Sequence, residues 1–448
     1  MKNDSRGVAL SGASEPALAR YETAIEQFQS YVGDPVATID EALAETPSFV
    51  AGHLLKGLLL YTLAERRFAT MAKEALDGAR AHMSTANDRE RGLLAAGDAL
   101  VDGRWDDACA VLDRVLANEP RDALALQTAH LMDFYRGDAQ NLRNRVSRVL
   151  PHWDASVPGY SYVLGMHAFG LEEMNQYPEA EAVAMRALSL QPKDAWAVHA
   201  AVHVMEMQGR VGEGIDFLRS READWSPDNS FAFHNFWHLA LFCMDGARYD
   251  DALALFDHRI HPEPAAYYLS LVDATALLWR LRLEGVDVGN RFAAVADDWE
   301  ARLSQEAGFY AFNDVHMAMA FGMTGRDKAM EELRARMGES ARTAGPGGRI
   351  MAEVGVPLAH GIASFARGQY AEAIAAIEPV REVAHRFGGS HAQRDLLTLT
   401  LIESSIRAGD AVRARHYTAE RRVHKPASAW GERLWARAGT TARLPAAA

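Results

Sequence analysis

The stretch "NQYPEAEAVAMRALSLQPKDAW" spans residues 175–196. Asn175 opens a turn, Tyr177 and Ala180 begin a helix, Ala184 and Ala187 continue one face, and Pro192 ends the unit. Residues three and four apart share a helix face, so the alanines clear a strip where a second helix can cross closely. The aromatic fills the gap between neighbouring units. About 34 residues on, the repeat length of a tetratricopeptide unit, the pattern returns as Gly209, Val211, Gly214 and Leu218. It occurs earlier as Gly103, Trp105, Ala108, Leu112, Val115 and Pro120. Later copies are "ARYDDALALF" (Tyr249, Ala252, Phe256) and "GQYAEAIAAI" (Gly368, Tyr370, Ala373, Ile377). Weaker ones stand at "GRDKAM" (Gly325) and "GDAVRA" (Gly409). One such unit cannot bury its own apolar face, so several must stack. The pattern predicts an all-α, tetratricopeptide-like right-handed superhelix of antiparallel helix pairs.

Composition agrees. Of 448 residues, 49% are hydrophobic and 24% charged, an ordinary globular balance. Val and Ile do not alternate with polar residues for any useful length, so strands are not expected. The net charge of −13 argues against binding to phosphate backbones, and the nearest basic run, "AERRVHK", is short and mixed. Cys109 and Cys243 sit among apolar neighbours, as small buried hydrophobes do. The N-terminus carries no apolar stretch of signal-peptide length, and "HLLKGLLLYTLAERRF" is too short and too charged to span a bilayer. These features predict a cytoplasmic protein without nucleic-acid or membrane partners.

The expected organisation is a flexible segment 1–19, one helical-repeat domain over 20–425, and a C-terminal helix with a frayed tail over 426–448. Pro-, Gly- and Trp-rich interruptions at 151–160, 221–231, 261–269 and 343–357 read as inserted loops. "TAGPGGRIMAEVGVPLAH" (343–360) is the clearest of them.

Several segments, in order, carry a more specific resemblance. They are "ETPSFVAGHLLKGLLL", "VPGYSYVLGMHAFGLEEMNQYPEAE", "DAWAVHAAVHVMEMQGR", "FHNFWHLALF", "RLRLEGVDVGNRF", "FNDVHMAMA", "VGVPLAHGI" and "GGSHAQRDLL". Together they cover about residues 20 to 425, and the chain resembles the tetratricopeptide repeat protein 38 family. The resemblance implies the repeat fold and no agreed biochemical activity. In "GGSHAQRD" this chain has His391 where many members are expected to carry Asn, so no role is carried over to it.

The histidines give the chemistry. His199, His203 and Glu206 follow at spacings of four and three and form one stripe on a helix. "HNFWH" places His234 and His238 on a second stripe. Counted from the turn residues, the first stripe falls on inner positions 5, 9 and 12 of its unit. His234 and His238 fall on positions 2 and 6 of the next, and His316 on position 6 of its own. Three readings stand open. The first is a metal site held by His199, His203, His234 and His238, with Glu206 or Asp314 as an oxygen ligand. The second is acid–base catalysis by His199, His203, Glu206, His234, His238 and His316. There Asn313, Asp314, Arg394 and Asp395 orient a polar substrate beside Trp237. The third is a buried polar network without a ligand.

Inner positions rich in His, Trp and Phe suit a small enclosed pocket, so a small molecule or short peptide is the expected partner. A divalent metal is an open alternative rather than the favoured one. Trp196, Trp225, Trp237 and Phe236 read as core at helical spacing, with a pocket wall as the alternative. The single histidines His53, His82, His130, His167 and His360 read as packed or solvated, and His258 and His261 flank a loop. No HExxH, phosphate loop, nucleophile elbow or reactive cysteine is present.

Overall fold

The computed structural model describes residues 1–441, and helices follow one another along nearly all of them. The fold is all-α and tetratricopeptide-like, built from consecutive helix pairs joined by tight turns. Its contacts sort into two compact units, Met1–Ala201 with Glu222–Ala232 and Val202–Arg221 with Phe233–Ala448. The sequence reading expected one domain over 20–425. Of the three boundaries, one falls inside the helix Ala195–Met207, one between Arg221 and Glu222 at the start of the interruption 221–231, and one at the start of Ala232–Asp245.

In the first unit, Asn175 turns the chain at φ 59°, a left-handed conformation that asparagine tolerates. The helix Tyr177–Leu190 follows, with Ala180, Ala184 and Ala187 wholly buried against Tyr160–Glu173. That partner crosses Ala139–Val149 so closely that a Cβ on Gly170 would lie 2.6 Å from the Leu142 carbonyl oxygen. The segment 1–19 carries a short antiparallel hairpin, Lys2–Asn3 with Ala9–Leu10, and Ser14 then caps the helix Glu15–Ser30.

The same device recurs in the second unit. In the helix Val211–Ser220, a Cβ on Gly214 would sit 2.2 Å from Cζ of Phe242, on the neighbouring helix Ala232–Asp245. Nothing lies within 4 Å of a Cβ built on Gly212. Alanine is the better helix former by about 1 kcal/mol. Gly212→Ala should therefore stabilise by about 0.5–1 kcal/mol in urea unfolding. Gly214→Ala should cost about 1–3 kcal/mol through overpacking. Equal gains from both would mean that Phe242 swings away freely.

One of the expected loops, 343–357, is largely helical, and a second, 221–231, carries a short helix. Within 343–357, Pro346 occupies the first turn of the helix Pro346–Ile350, a position where its missing N–H costs nothing. A wide turn at Met351–Gly355 then leads into Val356–Ala366. Gly and Pro were read there as breakers, but they serve as a helix start and a close contact: a Cβ on Gly355 would meet Cβ of Ala311 at 2.9 Å. In 221–231, the short helix Glu222–Trp225 plants Trp225 in the core, 1% exposed. The helix Ala429–Thr441 is present, while the rest of the tail expected to fray lies outside the described residues. Cys109 and Cys243 are buried and unpaired. Among the described residues no helix is long and apolar enough to cross a membrane.

Candidate functional site

The second unit holds a buried cluster of imidazoles and carboxylates. The helix Ala195–Met207 contributes His203 and Glu206, and Ala232–Asp245 contributes His234 and His238. The i, i+4 spacing puts each helix's pair on one face. A ligand atom from each of His203, His234 and His238 lies within 4.8 Å of the others. The rings of His203 and His238 are 4.4 Å apart, and those of His234 and His238 are 4.9 Å apart. His203 and His238 are wholly buried.

Each of two imidazoles is backed by a carboxylate. His238 Nδ1 donates to Glu206 Oε2 at 2.9 Å, and His234 Nδ1 donates to Asp273 Oδ2 at 2.6 Å. A carboxylate only accepts, so Nδ1 carries the proton and Nε2 becomes the lone-pair nitrogen in each ring. Glu206 also accepts from Lys425 Nζ at 2.5 Å. Burial alone would raise the Glu206 carboxyl. The Lys425 ammonium and the His238 hydrogen bond outweigh it and hold the carboxyl well below its usual range. Burial, reinforced by His203, pushes His238 well below the ordinary imidazole value, so it is neutral at pH 7. Trp237 stacks on His234 at 5.3 Å and 13°, and Arg280 lies over Trp237 at 5.2 Å.

The remaining candidates divide. His199 stands one turn before His203 and belongs to the first unit, where its ring packs against Phe169, Trp196 and Phe231. Asp395 joins the charged side of the cluster, taking Arg421 Nε and Nη2 at 2.9 Å each and lying 3.6 Å from Lys425. His316 donates through Nδ1 to the Phe312 carbonyl at 2.8 Å within its own helix, Ala311–Thr324. Burial pushes its imidazole down to about 4. Asp314 accepts from the Gly308 amide at 3.0 Å, ordering a turn. Asn313 is buried on the same helix, and Arg394 donates to the Gly389 carbonyl beside its own helix start. His261 reaches the Glu263 carbonyl and Asp298, away from the cluster.

Asp273, Arg280, Arg421 and Lys425 were missed from the sequence. The last two lie in "AERRVHK", weighed there only as an exposed basic arm.

No family model matches the chain. Among solved structures it is similar to a human IFIT1 dimer with m7Gppp-AAAA, at 13% identity and TM-score 0.44, covering 96% of each chain. A human IFIT1 dimer with PPP-AAAA gives 13% and 0.42, covering 88% of this chain and 91% of that one. A monomeric IFIT1 mutant with Gppp-AAAA gives 14% and 0.41, covering 94% and 100%. Scores this low assign no ligand to this chain. The expectation that excluded nucleic acid is nevertheless corrected: these helical-repeat matches are described with RNA ends. A net charge of −13 is a sum over the whole surface and does not exclude a local cationic pocket.

Proposed function

We propose that this chain is a helical-repeat metalloprotein. His203, His234 and His238 hold one divalent ion of the zinc type, and a small oxygen-donor molecule takes the position they leave open. The observation that carries the reading is the pair of carboxylate-backed imidazoles, His238 with Glu206 and His234 with Asp273. Metal-bound histidines almost always donate their second N–H in this way, which fixes tautomer and ring orientation. Three neutral nitrogens suit zinc, and three protein ligands plus an open position are the arrangement of reactive zinc sites. Nitrogens sharing a tetrahedral ion stand about 3.4 Å apart, and a ligand atom of each of the three histidines already lies within 4.8 Å of the others. A bound ion would supply Lewis acidity at the open position. The segment order quoted above supports placing the chain with the tetratricopeptide repeat protein 38 family.

The test uses the full chain without an affinity tag. Mass spectrometry should find about one ion per chain, and the His203→Ala/His238→Ala variant should lose it with an unchanged circular dichroism spectrum. Asp273→Asn keeps all three ligands and should weaken binding about 10- to 100-fold. A protein that purifies empty, and whose melting temperature ignores added zinc and cobalt, would instead hold a ligand-free buried network.

A further inference from the structure

Beside the imidazoles, and separated from them by Glu206, the second unit contains a cavity of about 20 Å³. Its walls include Glu206, Arg280, Asp395, Arg421, Lys425 and Trp430. That is room for one water-sized or halide-sized occupant.

The groups around it are not all paired. Arg280 is 1% exposed and hydrogen-bonds to the main-chain carbonyls of Ala276, Ala392 and Gln393. No carboxylate among the described residues comes within ion-pairing distance of it. Burial pushes its guanidinium down to about 10, and Asp395, Glu206 and Asp273 offset this only in part, so it remains a cation at neutral pH. Arg421, 3% exposed, spends Nε and Nη2 on Asp395, while its buried Nη1 has no hydrogen-bond partner. The buried Trp430 Nε1–H has none either. Lys425 is shared between Glu206 and Asp395. Asp245, also in the wall, accepts from Ser428 Oγ and the amides of Ala429 and Trp430 at the start of the last helix, and its charge also favours the Arg421 cation. The wall thus sets three cations against three carboxylates, but none of the carboxylates pairs directly with Arg280, and two buried donors, Arg421 Nη1 and Trp430 Nε1, are left idle. Buried charges and donors are normally matched, because leaving them unmatched is costly.

We infer that this cavity is a binding site for one halide-sized anion, chloride in the first instance. Arg280 supplies a positive charge that no carboxylate contacts directly, and Arg421 Nη1 and Trp430 Nε1 donate to the ion. The inference is independent of the metal reading, since none of these three residues is a candidate metal ligand.

The test is thermal unfolding of the full chain at fixed ionic strength, with chelator present so that a halide cannot act through a metal. Exchanging gluconate for chloride should raise the melting temperature by roughly 2–4 °C, and bromide should do the same. Trp430→Phe removes one donor with little change of shape and should cut that rise by at least half. Arg280→Gln, if it folds, should abolish it. In crystals grown with bromide, an anomalous peak should stand between Arg421 and Trp430. Equal melting in gluconate and chloride would overturn the inference and leave the cavity to water. So would a halide effect that Trp430→Phe leaves intact in a folded protein.

Discussion

Glu206→Gln should cost about 3–5 kcal/mol in chemical unfolding, the range found when one partner of a buried ion pair is removed. The reason lies in what Glu206 carries. One oxygen takes the Lys425 ammonium at 2.5 Å and the other takes the His238 Nδ1–H at 2.9 Å. Glutamine matches the shape but has one acceptor oxygen. Its amide N–H groups then face either the ammonium or the imidazole donor, and Lys425 loses its nearer anion. Lys425→Met should be costly for the converse reason, since it leaves a buried carboxylate facing only a neutral ring. The double variant Glu206→Gln/Lys425→Met removes both charges. It should cost less than the sum of the singles by about 1–3 kcal/mol, the coupling expected of residues in contact. Additive losses would mean that the two side chains do not pair in solution. Glu206→Gln should also loosen His238 as a ligand and weaken metal binding about 10- to 100-fold, whereas Gly214→Ala should leave metal affinity alone.

The contrast between Glu206 and Lys425 explains what could be read in advance. The repeat was legible because its signal is local: Ala180, Ala184 and Ala187 fall on one face whatever the rest of the chain does. The histidine stripes were legible for the same reason, since i, i+4 spacing needs nothing beyond a helix. The backing residues were not. Asp273 reaches His234 from 39 positions away, and Lys425 reaches Glu206 from 219. Nothing in "AERRVHK" tells a side chain that will be buried in an ion pair from one that will be solvated. At 343–357 the sequence misled because Pro and Gly end helices in most contexts, while Pro346 stands where a helix may begin.

Acid should unfold the second unit before the first. His316 is buried, and its imidazole is held down to about 4 from an ordinary 6.5. Between those values the unfolded chain takes up a proton that the folded one refuses, so stability falls with pH. The loss is absent above pH 6.5 and amounts to about 3 kcal/mol by pH 4. His238, also depressed by burial, adds a loss of the same sign over the same descent. Glu206 and Asp395 are carboxyls held below their ordinary values, so their contribution is lost only at still lower pH. The first unit contains a comparable histidine, His130, which burial pushes down to about 3. It also contains Asp194, whose buried carboxyl is pushed up to about 7. A raised carboxyl pKa makes the folded state take up the proton first, which favours folding as the pH drops from 7 to its ordinary 3.8. Those two shifts nearly cancel over that window, leaving the first unit the losses from the partly buried His53 and His167, while the second unit has only losses from its wholly buried histidines. Hydrogen exchange read peptide by peptide between pH 7 and 4.5, with chelator present and intrinsic rates corrected, should show protection falling first around Ala311–Thr324 and Ala232–Asp245. His316→Asn keeps a donor toward the Phe312 carbonyl without a titrating ring. It should shift the second unit's acid transition downward and leave the first unit's unchanged. Simultaneous loss of protection in both units, unaffected by His316→Asn, would show that these histidines do not set the acid limit.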